Sequence, residues 1–502
     1  RFSRAESGRL SYIGRINYAY MDKYLFEFLI RTDASTRFAP ENYWGTFPSV
    51  SLGWVVSQED WFKEKVKAID YLKLRASFGL TGRDNVPAWA WSKNYNYNAD
   101  KGPVFGSSSS SSGNYITLPD QGYNRDAKWD KSYKSNYGLD LGVLNNRLSF
   151  NIDGYYEWNR DIFLSLNSSI PSTAGSAPAN ENYGAVDTYG IEIGVGWRDK
   201  IGNDFKYGVR LNTGYSDNKI KKDNWPTSME MDSKIQGERS DRGVWGLECI
   251  GIFRDYQQIE EYFDQYNITS YLGLQKSDMR PGMLIYKDVR SSDRDENGYY
   301  IETPDGVINE NSDKIRISDR SSNIYGFTLN LNAEWKSFSL TAQFNASWGS
   351  YTTLSKSARS ISNNILNTSG YNSMQYTNLP SFWANNMFVY EDVYDASGNL
   401  VAEANRDAKY PNLMYDKVNN VESTFWRVNN ASVTLRNITL AYTLPKALVN
   451  KVGVESCRLN LTAQNVINFY NPYPDNFYSS FAGTYGQYPN LRKITLGVNV
   501  SF

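Results

Sequence analysis

The most chemical spacing in this chain of 502 residues is Asp293, Asp295 and Asn297 at alternate positions, followed by Gly298. Oxygen ligands at positions one, three and five with glycine at six make the first half of a calcium loop, so these three side chains are candidate ligands for a divalent cation, Ca2+. The second half departs from that pattern, because position twelve is Pro304 and the nearest carboxylate, Glu302, arrives two residues early. A solvated acidic turn, continued by Asp305, Gly306, Asn309 and Asp313, is the other reading of the same residues.

A second cluster could bind a ligand. Trp89, Trp91, Tyr95 and Tyr97 precede a run of serines from Ser107 to Ser112. Aromatic faces beside flexible polar chain can stack on sugar rings or on peptide side chains, and loop packing or a rim girdle would use the same residues. Catalysis finds little support. With no histidine the commonest general base is missing, and no glycine-rich phosphate loop follows a strand and opens a helix. Acidic pairs are expected by chance among 54 acids, and the carboxylate separation that glycoside hydrolysis requires is not a sequence property. The expectation is a protein that is not an enzyme and carries no cofactor apart from the possible calcium. Cys249 and Cys457 lack a metal-type spacing and read as two small buried hydrophobes without a disulfide between them.

The elements that must carry these residues are strands. The chain ends in Ile494, Leu496, Val498, Val500 and Phe502 alternating with Thr495, Gly497, Asn499 and Ser501, which puts the two sets on opposite faces of one strand. Phe338 to Trp348, Phe327 to Trp335 and Leu148 to Trp158 repeat the pattern. About thirteen strands follow, at 9–20, 24–34, 47–57, 70–80, 133–143, 147–158, 185–198, 206–217, 324–335, 338–350, 430–443, 456–468 and 491–502. A short amphipathic helix is expected from Tyr256 to Gln265.

Alternation alone suits a soluble sandwich as well as a membrane barrel. Three features favour the barrel. The runs are long enough for tilted strands to cross hydrocarbon, and large aromatics (Trp158, Trp197, Trp335, Phe338, Trp348, Phe502) stand at run ends on the apolar face. The connections also alternate in length. Segments at 21–23, 58–69, 144–146, 199–205, 336–337 and 444–455 are short, while 35–46, 81–132, 159–184, 218–323, 351–429 and 469–490 are in nearly every pair the longer, so turns gather on one rim and loops on the other. A mean hydropathy of -0.57 and the lack of an eighteen-residue apolar run exclude transmembrane helices, while 39 Tyr and 14 Trp fit a barrel that hides its apolar surface in alternation. With 53 basic and 54 acidic residues the net charge is -1, which offers nucleic acid no basic patch. The strands run evenly through the chain with no linker, giving one domain over 1–502, an all-β transmembrane antiparallel β-barrel piece with long extracellular loops at 81–132, 218–323 and 351–429.

Eight strings carry a family resemblance: GRINYAYMDKYLFEF (14–28), PSVSLGWVVSQEDWF (48–62), IDYLKLRASFGLTGRDN (69–85), GIEIGVGW (190–197), GVWGLECIGIFRDYQQIEEY (243–262), ASVTLRNITLAYTLPKAL (431–448), LNLTAQNVINF (459–469) and YPNLRKITLGVNVSF (488–502). Together they resemble the C-terminal barrel portion of SusC-like TonB-dependent outer-membrane transporters of Bacteroidetes. The resemblance implies a barrel of about 22 strands, a plug in its N-terminal part, energy from TonB, and a SusD-like surface lipoprotein that captures glycan or peptide ligands. It also makes Gly497, Val500 and the terminal Phe502 resemble the signal read by the outer-membrane assembly machinery. The plug, the TonB box and about nine strands of the family pattern are not in this sequence, and position 1 lies immediately before a strand, so the N-terminus reads as cut. The expected partners are therefore an N-terminal barrel and plug polypeptide, TonB through it, the SusD-like lipoprotein and outer-membrane lipid, with no nucleic acid. Two functions stay open: import of glycan or peptide ligands across the outer membrane, or surface binding and scaffolding without transport.

Overall fold

The computed structural model describes residues 7–93, 95–98, 115–117, 122–165, 179–224, 229–233, 235–359, 381–473, 488 and 490–502. Two compact units emerge, the first made of Arg1–Asp199, Gly208–Thr227 and Lys234–Ser240, the second of Lys200–Tyr207, Ser228–Ser233 and Asp241–Phe502. Among the described residues there are thirteen long strands. The first unit holds β1 (Arg9–Tyr20), β2 (Tyr24–Ser35), β3 (Trp44–Val55), β4 (Ile69–Arg83), β5 (Asp130–Val143), β6 (Leu148–Leu164) and most of β7 (Glu181–Ile201) and β8 (Phe205–Lys222). The second holds β9 (Tyr325–Trp335), β10 (Phe338–Trp348), β11 (Ser432–Thr443), β12 (Ser456–Asn468) and β13 (Lys493–Ser501). Every strand expected from alternation is present, several running a few residues further because the periodicity continues past the hydrocarbon-length core.

Each sequential pair from β1 to β7 and from β9 to β13 is antiparallel, and its register keeps the two faces separate. In the first unit, Tyr18, Phe26, Leu52 and Ala76 follow one another across β1 to β4 on the apolar face, while Glu27, Ser51, Ser77 and Asn136 cross β2 to β5 on the polar face. In the second unit, Leu340 faces Leu440, Leu440 faces Leu461, and Leu461 faces Leu496; one residue away, Thr341, Thr439, Thr462 and Thr495 form a threonine row. A slip of one residue would turn either row to the wrong side, so burial requirements fix the register. Asn437 donates to Gln343 at 2.9 Å and the Thr439 and Thr462 hydroxyls meet at 3.0 Å, so the polar row is hydrogen-bonded within itself.

The turn rim is tight. Leu144, Asn145 and Asn146 all adopt left-handed φ between β5 and β6, a conformation asparagine tolerates better than most residues, and Asp70 accepts from the Asn146 amide at 2.9 Å. On the same rim Glu59 accepts from Tyr24 Oη (2.7 Å), Trp54 Nε1 (3.0 Å) and Lys23 Nζ (3.1 Å), and these donors hold its carboxyl down to about 2. Aromatic pairs occupy both ends of the apolar face, such as Tyr20 with Tyr24 on the turn side and Tyr12 with Trp44 on the loop side. That is the placement of interfacial girdles.

The loop segments of the second unit fold into a body with its own core, which alternation did not announce. The helix Tyr256–Gln265 lies where expected, capped by Asp255, which accepts from the Gln258 amide at 2.8 Å, and buries Ile259, Tyr262 and Phe263. Tyr271, Tyr286, Trp383, Phe388 and Trp426 complete the core. Its polar atoms are satisfied across long sequence distances: Asn419 accepts from the Leu284 amide (2.8 Å) and donates to the Gly282 carbonyl (2.9 Å), and Tyr271 Oη donates to the Leu284 carbonyl (2.6 Å). Cys249 and Cys457 are free and half-buried rather than buried, Cys457 standing opposite Val500 on the apolar face.

Candidate functional site

The acidic turn is built from backbone donors. Arg294 and Tyr300 form an antiparallel bridge, and between them Asp295 accepts from the Asn297 and Tyr299 amides, both at 2.9 Å, while Gly298 takes φ +81°. Arg294 stacks over Tyr300 at 3.8 Å and pairs with Glu230 at 2.5 Å, which anchors the turn. The Asp295 carboxylate thus caps two amides through one oxygen, as aspartate does in turns, within the segment that holds the candidate ligands Asp293, Asp295 and Asn297. Among the described residues, no group of three or more Asp, Glu, His or Cys side chains is arranged to hold a metal ion.

The carboxylates further on carry the stress of this region. Asp313 is fully buried and accepts from the Val289, Arg290 and Asn309 amides at 2.7 to 2.9 Å. Asp288 is buried too; its Oδ2 accepts from the Gly306 amide at 2.7 Å, while Oδ1 has no partner. Burial, reinforced by Asp313 and Asp305, pushes the Asp288 carboxyl up to about 6. Because this value is raised in the folded state, the proton favours the fold: the contribution is full below the ordinary aspartate value near about 4 and is lost as pH rises through about 6. Amide exchange at Gly306 is therefore expected to accelerate, beyond the intrinsic rate, between pH 5 and pH 7, roughly the window of that titration. Asp288→Asn should remove the excess, and an unchanged profile in that variant would rule the assignment out.

Of the expected aromatic residues, the side chains of Trp89, Trp91 and Tyr95 are described. Trp89, exposed and at φ +65°, lies 5.8 Å from Trp91, and Arg125 sits over Trp91 at 6.0 Å. Tyr95 is exposed with Lys93 over its ring at 5.7 Å. The Tyr97 backbone belongs to the short strand Asn96–Asn98, but its side chain and Ser107 to Ser112 lie outside the described residues. At the other candidate, Gly497 stands opposite Asn460, and an added Cβ would lie 2.5 Å from the Asn460 amide nitrogen, so glycine is what lets that side chain lie across the strand. Val500 and Phe502 are exposed.

What the sequence reading missed is the charge network on the polar face. Arg75 of β4 binds Asp140 of β5 (2.8 and 3.0 Å) and Asp153 of β6 (both contacts 2.9 Å), while Asn151 donates to Asp140 at 2.8 Å. Gly138 makes room, since a Cβ there would come within 2.5 Å of the guanidinium carbon. Arg75, Gly138, Asp153 and Glu192 fall in one line across four strands, an alignment that comes from register and not from any one strand's alternation. Such a face can line a polar interior and bind hydrophilic solutes, with charges held in fixed bidentate geometry.

Comparison with known proteins agrees with this two-faced wall. A family model described as TonB dependent receptor-like, beta-barrel matches residues 3–241. The TonB-dependent receptor SusC of Bacteroides thetaiotaomicron is 34% identical over 215 residues, covering 42% of this chain and 21% of that protein. The TonB-dependent receptor P39 of Formosa agariphila is 25% identical over 523 residues, covering 98% of this chain and 46% of the relative. The chain thus spans less than half the length of the curated relatives it matches. Among solved structures, the RagAB peptide transporter superposes with a TM-score of 0.66 at 20% identity over 99% of this chain and 48% of that one, a likeness of fold. Register and girdles agree with these matches: residues 3–241 fit a TonB-dependent receptor-like β-barrel, and the chain is similar to SusC-like TonB-dependent receptors of the bacterial outer membrane.

Proposed function

We propose that the chain forms the wall of a TonB-dependent importer that takes glycan or peptide ligands across the outer membrane. In this reading an N-terminal polypeptide supplies the plug, TonB contact and remaining strands, and a SusD-like lipoprotein presents the ligand at the loop rim. The observation that carries it is the polar face, whose ordered ion pairs cross β4 to β6 in the middle of a membrane-crossing wall. A protein that only displayed loops would have no use for a precisely paired interior. The relation to the TonB-dependent receptor SusC supports TonB-driven import, the RagAB peptide transporter's likeness of fold supports the peptide half, and the glycan half rests on the resemblance to SusC-like transporters. The second reading, a surface scaffold, rests on the loop body, whose core around Tyr271, Tyr286 and Trp383 is substantial enough to dock a partner.

The test is uptake in cells carrying the full-length protein, with neutral oligosaccharides and short peptides as separate labelled probes. Import predicts accumulation that stops when TonB is deleted or the proton gradient is collapsed. Surface binding that persists unchanged under both treatments, with nothing entering the periplasm, would favour the scaffold.

A further inference from the structure

The apolar face of β5 to β7 changes chemistry along its length. Toward the turn rim, Leu139, Ile152 and Ile193 make an aliphatic row. Nearer the loops Tyr156 and Tyr189 stack at 6.0 Å, Trp158 stands between Tyr133 and Asp187, and last of all Lys131 stands opposite Arg160. From Leu148 to Trp158 this face of β6 carries no charge. Ten steps of about 3.3 Å at a tilt near about 40° rise about 25 Å, the height of the apolar band of an outer-membrane barrel. Lys131 and Arg160 therefore come at the level of the lipid headgroups, just beyond the aromatic girdle.

The cations here outnumber the carboxylates that hold them. Arg160 and Lys221 of β8 share Asp187, at 2.6 and 3.5 Å, and Tyr156 Oη donates to the same carboxylate at 2.8 Å. Asp187 is buried, so it fixes these side chains in place. Lys128 and Lys131 share Asp161, at 3.9 and 3.5 Å. Asp161 owes its aim to a bulge: it takes φ +56° where the register shifts between Asn159 and Ile162, and its carbonyl accepts from Asn182 Nδ2 at 2.8 Å. Arg83 and Asp130, also opposite one another, balance. Four cations on two carboxylates leave an excess of positive charge at one height of the wall. A phosphate monoester carries about 1.5 to 2 negative charges at neutral pH and accepts several charge-assisted hydrogen bonds, so it fits that excess. A dissolved anion has no reason to gather beside a girdle, whereas acyl chains hold a headgroup phosphate there.

We propose that Lys131, Arg160 and Lys221, with Lys128 beside them, bind the phosphate of a glycolipid in the outer leaflet, whose acyl chains lie on the aliphatic rows below. The loop rim, placed outside the cell, faces the leaflet in which lipid phosphates are carried on sugars, and Trp158 and Tyr133 give those sugars an aromatic surface. The site takes only its orientation from the import reading and needs neither plug nor transport. The test is titration of the full-length protein in detergent with purified lipid A, read by native mass spectrometry, beside the same lipid stripped of phosphate and beside phosphatidylglycerol. Lipid A is expected to be retained, with the dephosphorylated form bound about tenfold or more weakly. Lys131→Gln should weaken lipid A binding about fivefold, and Lys128→Gln, Lys131→Gln and Lys221→Gln together about a hundredfold. Arg160 is kept in these variants, since its loss would strand the buried Asp187. Lys131→Arg should bind as wild type, and so should Lys63→Gln, in the helix Asp60–Lys65 on the turn rim. Equal binding of the dephosphorylated lipid, or lysine variants with wild-type affinity, would overturn the site; phosphatidylglycerol bound as tightly as lipid A would overturn the choice of a glycolipid. Uptake lost while phosphate-dependent binding persists would count against import alone, and uptake intact with binding blind to phosphate against the site alone.

Discussion

Phe344→Arg is expected to cost about 2 to 4 kcal/mol of inserted stability, and Asn345→Arg, one residue on, far less. Phe344 lies within β10 on the apolar face, opposite Leu329 and Leu435, and stacks with Phe469 at 6.3 Å. An arginine there must bring a charge into hydrocarbon or drag headgroups and water toward it. Asn345 faces the other way, opposite Thr328 and Thr434, where its side-chain oxygen is buried without a partner. A guanidinium on that side meets hydroxyls and amides. The measurement is the fraction of each variant recovered as folded, protease-resistant protein in the outer membrane, followed by denaturant titration in vesicles. Equal losses for the two variants would show that the facing is misassigned.

The second large effect concerns the outermost strands. Among the described residues, β1 is paired by β2 and β13 by β12, each along one side, and β1 is exposed over its whole length. In hydrocarbon each unsatisfied N–H or C=O costs several kcal/mol, so two free edges would outweigh the stability of an ordinary domain. We therefore expect this chain, produced alone with a secretion signal, to be degraded or to aggregate in the periplasm. Production together with a polypeptide supplying the further strands should restore folded protein in the outer membrane. Stable insertion of the chain by itself, with cysteines along β1 crosslinking to cysteines along β13, would sink this expectation.

The strands were legible in the sequence because their cause is local. An extended backbone sends successive side chains to opposite faces, so Leu340 and Leu440 share a side with Leu461 and Leu496 wherever the rest of the chain goes. The helix Tyr256–Gln265 was legible for the same reason, its acids and aromatics following the helical repeat with Asp255 at the start. Parity of connection length, read from positions alone, placed the turns and the loops on separate rims.

What only the tertiary structure decided are the pairings between residues far apart. Which amides Asp295 caps depends on which donors reach it, and those of Asn297 and Tyr299 do. Arg75 meets Asp140 and Asp153 from 65 and 78 residues away, Asn419 reaches the Leu284 amide across 135, and Phe47 fills the space left by Gly45 and Gly82. Side-chain pattern names the face on which a residue lies; strand register and loop closure determine which neighbour it meets there. Hydrogen bonds and close packing act over a few ångströms, so charge networks and cavities become visible only when the chain has brought those distances together.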